Sequence, residues 1–322
     1  MLPSSTPAQY RASDSRKDRT VVLSPMLLAT DRMLLMTQKK LPPPVMRRRV
    51  GSLLRDYRER ADLAPGAAAK RLGWDSTRQG RIERGIYRVA ADDIRKMLET
   101  YGIHDDEEAV REMAAASNEP PGAGWWAAYM GQISDALLDF IILESKSKKI
   151  QVQHPAIIPG LLQAPGYVRE IFNSPLHPDN RDRSDMLSAI RMARQEVLHR
   201  PGNQLHALIS EAALLHRFPS APGVMKEQLR KLADDAAQPN ITIQIVPADV
   251  PAYAAANQAM TIMSFRHPWP AAISIDNSLG GNILDEPTEV SDLSVMFEKI
   301  ADLALPADKS RELINAHLEE KF

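Results

Sequence analysis

The chain has 322 residues, 44% hydrophobic and 25% charged, which leaves room for about two domains with buried cores and excludes a fibrous or wholly disordered protein. It contains no cysteine, which excludes disulfides and thiolate metal sites and fits a reducing cytoplasm. The net charge of −1 hides a segregation: residues 46–104 hold 14 basic against 8 acidic side chains, residues 105–119 hold 1 against 6, and residues 120–322 hold 18 against 24. A basic module on an acidic body is the charge distribution expected of a phosphate-contacting part carried by a regulatory part.

Residues 1–45 begin polar and basic, turn Met/Leu-rich and end in Leu41-Pro42-Pro43-Pro44; they are expected to be a disordered extension. A first helix is predicted over 47–61, with Val50, Leu53, Leu54, Tyr57 and Ala61 on one face. A short alanine-rich helix follows over 65–72, opened by Pro65 and stopped by Gly73. A third helix has Asp75 as its N-cap and Gly85 as its stop. Two more are predicted over 91–101 and, acidic, over 106–117. Residues 120–124, Pro-Pro-Gly-Ala-Gly, read as a linker. An amphipathic helical stretch is expected over 125–144, and then strands over 150–154, 205–210, 241–246, 259–265 and 272–275. Interspersed helices are predicted over 165–173, 183–199, 224–237, 288–303 and 308–320. The fold expected is thus an all-α module over 46–119 and an α+β body over 120–322. No stretch is apolar and long enough to span a bilayer, and no secretory signal is expected.

The segment from Leu63 to Gly85, two short helices about a tight turn with arginines on the second, resembles a Cro/lambda-repressor-type helix-turn-helix. Further motifs are Arg71-Leu72-Gly73-Trp74, Arg81-Ile82-Glu83-Arg84-Gly85, Trp125-Trp126, Ile158-Pro159-Gly160-Leu161-Leu162-Gln163, Arg194-Gln195-Glu196-Val197-Leu198, Glu211-Ala212-Ala213-Leu214 and Ile241-Thr242-Ile243-Gln244-Ile245-Val246-Pro247. In this order they resemble XRE-family regulators with a large C-terminal domain of uncharacterised function, often described as antitoxin-like and encoded beside a small partner protein.

That resemblance implies double-stranded DNA as a partner and no known reaction. Base edges would be met by Ser76, Thr77 and Arg81, with Arg81 suited to a two-pronged contact with guanine, and phosphates by Arg78, Arg84 and Arg88. Arg58 and Glu83 would form a structural pair joining the first and third helices. Three departures weigh against tight DNA binding: Gln79 at a position usually Val or Ile, Gly80 inside a short helix, and Pro65 where Gln or Glu is common.

Two functional readings follow. The first is a sequence-specific transcriptional regulator, expected to be a repressor acting as a homodimer in the cytoplasm, on the nucleoid when bound. The second is an antitoxin-like interaction module with weak or residual DNA binding, whose C-terminal part holds a small partner or ligand. An enzyme is not expected: phosphate loop, nucleophile elbow and zinc-protease motifs are missing, and the eight histidines are scattered, so neither metal nor cofactor is anticipated. The Trp125-Trp126 pair could cage a ligand, but packing between the two parts is the preferred reading.

Overall fold

The computed structural model describes residues 42–174, 183–250, 258–276 and 281–321. The expectation for the N-terminal extension lies outside these residues, apart from its last few positions. Helix α1 (Val45–Arg60) starts directly after the proline run. It is followed by α2 (Pro65–Leu72), α3 (Ser76–Glu83), α4 (Ala91–Thr100) and α5 (Glu107–Asn118). Pro65 opens α2, where its missing N–H removes a donor that would have no partner inside the helix. Asp75 caps α3 by accepting a bond from the Arg78 amide at 2.9 Å, and Asp106 caps α5 through the Ala109 amide at 3.0 Å. Val50, Leu54, Ile82, Ile94, Met97 and Met113 lie inward at helical spacing and make the core of the five helices.

The rest is α+β. One six-stranded mixed sheet has the order β3-β2-β1-β4-β5-β6. Strands β1 (Lys149–His154), β2 (Gln204–Ser210) and β3 (Ile241–Val246) run parallel. Strands β4 (Met260–Ser264), β5 (Ala272–Ile275) and β6 (Asn282–Leu284) continue antiparallel from the β1 edge. Alternation sorts the side chains by face. Ile241, Ile243 and Ile245 pack with Leu229 and Leu232 of helix α9 (Val224–Asp235) and Ile314 of α11 (Ala307–Lys321). Leu208, Ile262 and Ile273 pack on the other face under Phe297 and Ile300 of α10 (Pro287–Leu303).

Helix α6 (Asp135–Lys146) joins the two regions. Its Ile141 and Leu143 belong to the same apolar cluster as Val50 and Leu54 of α1, and that cluster continues through Trp126 to Ile190 and Met263. Residues 43–322 form one compact unit. Polar ties reinforce the joint. Arg48 pairs with Asp139, Lys146 with Glu119 at 2.8 Å, and His267 with Asp106 at 2.8 Å. Arg49 runs into the body, donates to the Pro270 carbonyl and lies 4.4 Å over the Phe265 ring; its burial lowers its pKa to about 10.

Two predicted elements need correction, and one strand, β6, was not predicted. The single helical stretch expected over 125–144 is a 3-10 turn (Trp125–Tyr129) followed by α6. Gly131 breaks it with φ of +78°, a left-handed conformation natural to glycine, and Ser134 caps the new start. The helix expected over 183–199 is α8 (Ser184–Arg194) running into a 3-10 segment (Gln195–His199), where Gln195 turns inward to bond the Gln163 carbonyl at 2.8 Å. Strand β6, at three residues, is too short to show alternation. Helix α7 (Pro165–Asn173) lies at its predicted bounds. Both tryptophans of the 125–126 pair pack on the shared core, at 6.0 Å between ring centroids, with the Trp126 indole N–H on the Pro121 carbonyl at 3.0 Å.

Candidate nucleic-acid interface

The local sequence divides α3 into an inner and an outer face. Gln79, Ile82 and Glu83 are buried, while Ser76, Thr77 and Arg84 are exposed and Gly80 and Arg81 are half-buried between them. Arg58 of α1 holds the inner face, donating through Nε to Glu83 Oε1 at 2.7 Å and through a terminal nitrogen to Oε2 at 3.0 Å. Its other terminal nitrogen caps the Leu63 carbonyl at 2.7 Å. Two carboxylate oxygens against a guanidinium fork fix angle as well as distance, so this pair orients α3 on α1.

Gln79 extends this network through its amide nitrogen, while its Oε1 is buried without a hydrogen-bond partner among the described residues. Its Nε2 donates to Glu83 Oε1 at 2.7 Å and to the Tyr101 hydroxyl at 2.8 Å. Burial pushes the Tyr101 hydroxyl up to about 12, so it stays protonated at neutral pH. The amide nitrogen of this polar residue is therefore answered by Tyr101, the residue just after α4, a contact the sequence did not signal. Two glycines let α1 and α3 meet closely. A Cβ on Gly51 would lie 2.4 Å from the Glu83 carbonyl oxygen, and one on Gly85 would lie 2.7 Å from the Arg48 Cα. Gly85 also sits at φ of +68°.

On the outer side the expected contact residues differ in how they are held. Arg78 lies 4.0 Å over the Trp74 ring and pairs with Asp93 at 2.6 Å. Arg81 is turned toward Tyr87, bonded to its hydroxyl and 5.2 Å over its ring. Arg84 folds back on the Gly80 carbonyl at 2.9 Å, and Arg88 is exposed on the segment after the helix. Ser76 and Thr77 project from the first turn. Asp93 and Tyr87 are thus neighbours of the outer face of α3 that sequence reasoning passed over. The body docks on the module through α1, α5 and the segment after it, and leaves the outer face of α3 uncovered.

Gly80 weakens α3 without a packing reason. A Cβ there would meet nothing nearer than an Arg84 nitrogen at 3.9 Å. Gly80→Ala is expected to raise stability by about 1 kcal/mol, read as a higher urea midpoint at unchanged slope. A lower midpoint would overturn this reading of Gly80.

A short capped helix, locked by a buried ion pair and turned outward beside its partner helix, defines a helix-turn-helix protein, and a model of the helix-turn-helix domain matches residues 49–110. A second model, the domain of unknown function DUF5753, matches residues 137–316, over half of the chain. The chain belongs to this DUF5753 family. No curated protein and no solved structure matched it. Among the described residues no helix is long and apolar enough to cross a membrane.

Proposed function

We propose that this chain is an XRE-type transcriptional regulator that reads double-stranded DNA with the outer face of α3, and that it acts as a repressor. The observation carrying this reading is that Ser76, Thr77 and Arg84 remain exposed with the body in place, beside Arg81 and the uncovered Arg88. Arg81 is the guanine-reading residue; Ser76 and Thr77 meet neighbouring base edges, and Arg78, Arg84 and Arg88 meet phosphates. One eight-residue helix spans too few base pairs for specificity, so the chain binds as a homodimer with half-sites about 10 base pairs apart. Residues 46–119 carry DNA contact, and residues 120–322 serve regulation and capture of a small protein encoded nearby, with no reaction of their own.

A second reading, an antitoxin-like interaction module with residual DNA binding, is favoured by the internal engagement of Arg78 with Asp93 and of Arg81 with Tyr87. A mobility-shift assay with the chain's own upstream region, with and without the neighbouring small protein, separates the two. The first reading expects a salt-sensitive complex without the partner. In that assay Arg81→Ala should weaken specific binding by about 1–3 kcal/mol and relax the preference at one base pair per half-site. Unchanged affinity in Arg81→Ala would reassign the reading face, and no complex at any salt concentration would leave the second reading.

A further inference from the structure

A cavity of about 550 Å³ lies between the sheet and the helices α6, α7 and α8. This is within the range of small-molecule sites, about 300–1,000 Å³. Most of its wall is apolar, with Leu137 and Phe140 from α6, Phe172 from α7 and Leu187 from α8. Its charged groups are not equivalent. Arg194 is closed off: it forms a two-pronged pair with Glu144 at 2.7 and 2.8 Å and lies 4.7 Å over Phe140. Arg191, one turn earlier, has no carboxylate within ion-pair distance among the described residues. It donates one bond, to Gln163 Oε1 at 3.2 Å, and lies 5.2 Å from the Phe172 ring. A guanidinium has five N–H donors, so most of its capacity is unused. Burial first, and the neighbouring Arg194 second, lower its pKa to about 10 against the opposing charges of Asp276 and Glu144, which act from beyond ion-pair distance, and it stays charged at neutral pH.

A second donor lines the same cavity, from β1. His154 Nδ1 accepts from the amides of Ala156 at 3.2 Å and Ile157 at 3.1 Å, so the proton sits on Nε2. Burial and the Arg191 charge lower the His154 pKa to about 4, keeping the ring neutral with this N–H as a donor. Asp276 also lines the cavity, and burial raises its pKa. A cation with no ion-pair partner among the described residues and a fixed N–H, both lining a largely apolar chamber, are complementary to one anionic head on an apolar body. The surrounding body is itself acidic, 18 basic against 24 acidic residues over 120–322, so a generally anion-attracting surface does not explain the arrangement.

We propose that this cavity is an effector site for a small anionic amphiphile, its head group held by Arg191 and His154 and its apolar body lying against Leu137, Phe140, Phe172 and Leu187. Occupancy reaches the DNA-binding end through α6, which lines the cavity with Leu137 and Phe140, shares a core with α1 through Ile141 and Leu143, and pairs with Arg48 through Asp139. The consequence for DNA rests on the reading given above; binding itself does not.

The test uses the full chain, with decanoate and its neutral analogue decanamide as probes, in calorimetric titrations at neutral pH. Decanoate is expected to bind at least tenfold more tightly than decanamide, and Arg191→Gln to abolish that preference. Equal affinity for the two probes, no binding of either, or a preference retained in Arg191→Gln would each overturn the site. The comparison of probes on the unaltered chain stands even where the variant fails to fold. Hydrogen exchange with and without decanoate reads the relay: slowed exchange in α6 and α1 supports it, and slowing confined to α7 and α8 overturns it. Neither measurement uses DNA, so a chain that fails in the mobility-shift assay removes the DNA reading alone.

Discussion

Arg58→Ala should destabilise the chain by about 3–5 kcal/mol, because it strands a buried carboxylate. Glu83 accepts both prongs of Arg58, and each side chain of the pair is only 5% exposed. The remaining cation nearby, Arg55, reaches Glu83 at 3.6 Å from an exposed position and cannot replace a fork. The Leu63 carbonyl loses its donor as well. Urea unfolding of the full chain measures the cost, and hydrogen exchange should place the first loosening in α3. The double variant Arg58→Met with Glu83→Gln should be milder than Arg58→Met alone, since the glutamine carries no charge and still accepts from Gln79. A single variant within about 0.5 kcal/mol of the parent would mean that the pair contributes nothing beyond an ordinary surface contact.

Glu144→Ala is expected to cost a similar amount, about 3–5 kcal/mol, in the body. Glu144 is 2% exposed and binds Arg194 through both oxygens. Removing it leaves Arg194 beside Arg191, two like charges in a poorly solvated wall. Glu144→Gln keeps one acceptor and should fall between parent and alanine. Were both variants to unfold at the parent's urea midpoint, water or a rearranged partner would have to be satisfying Arg194.

The fold was legible where local chemistry punctuates the chain. Pro65 and Gly73 bracket α2, Asp75 caps α3, and alternation of β-branched residues marks β3 between 241 and 246. What escaped notice depends on distant neighbours. Gln79 is intelligible only once Tyr101 is beside it. Arg49 reads as one of three surface arginines, yet its partner carbonyl lies 221 positions away. Arg191 resembles any arginine on an amphipathic helix, because the cavity before it is assembled from α6, α7 and the sheet together. Gly131 interrupts a stretch whose apolar spacing is continuous, and one left-handed residue outweighs that spacing. The arrangement of Ser76, Thr77 and Arg81 was suggested by family resemblance; the tethers on Arg78 and Arg81 belong to side-chain packing, which a linear pattern does not encode.

The apolar cluster that runs from α1 across residues 120–124 into α6 has a consequence for how the chain comes apart. A protease that nicks the Pro-Gly segment cuts one peptide bond and leaves Trp126, Ile141 and Leu143 packed against Val50 and Leu54. The two pieces should therefore co-elute until denaturant is added. Melting should show one transition for both ends of the chain, because neither can lose its interior without opening the other's.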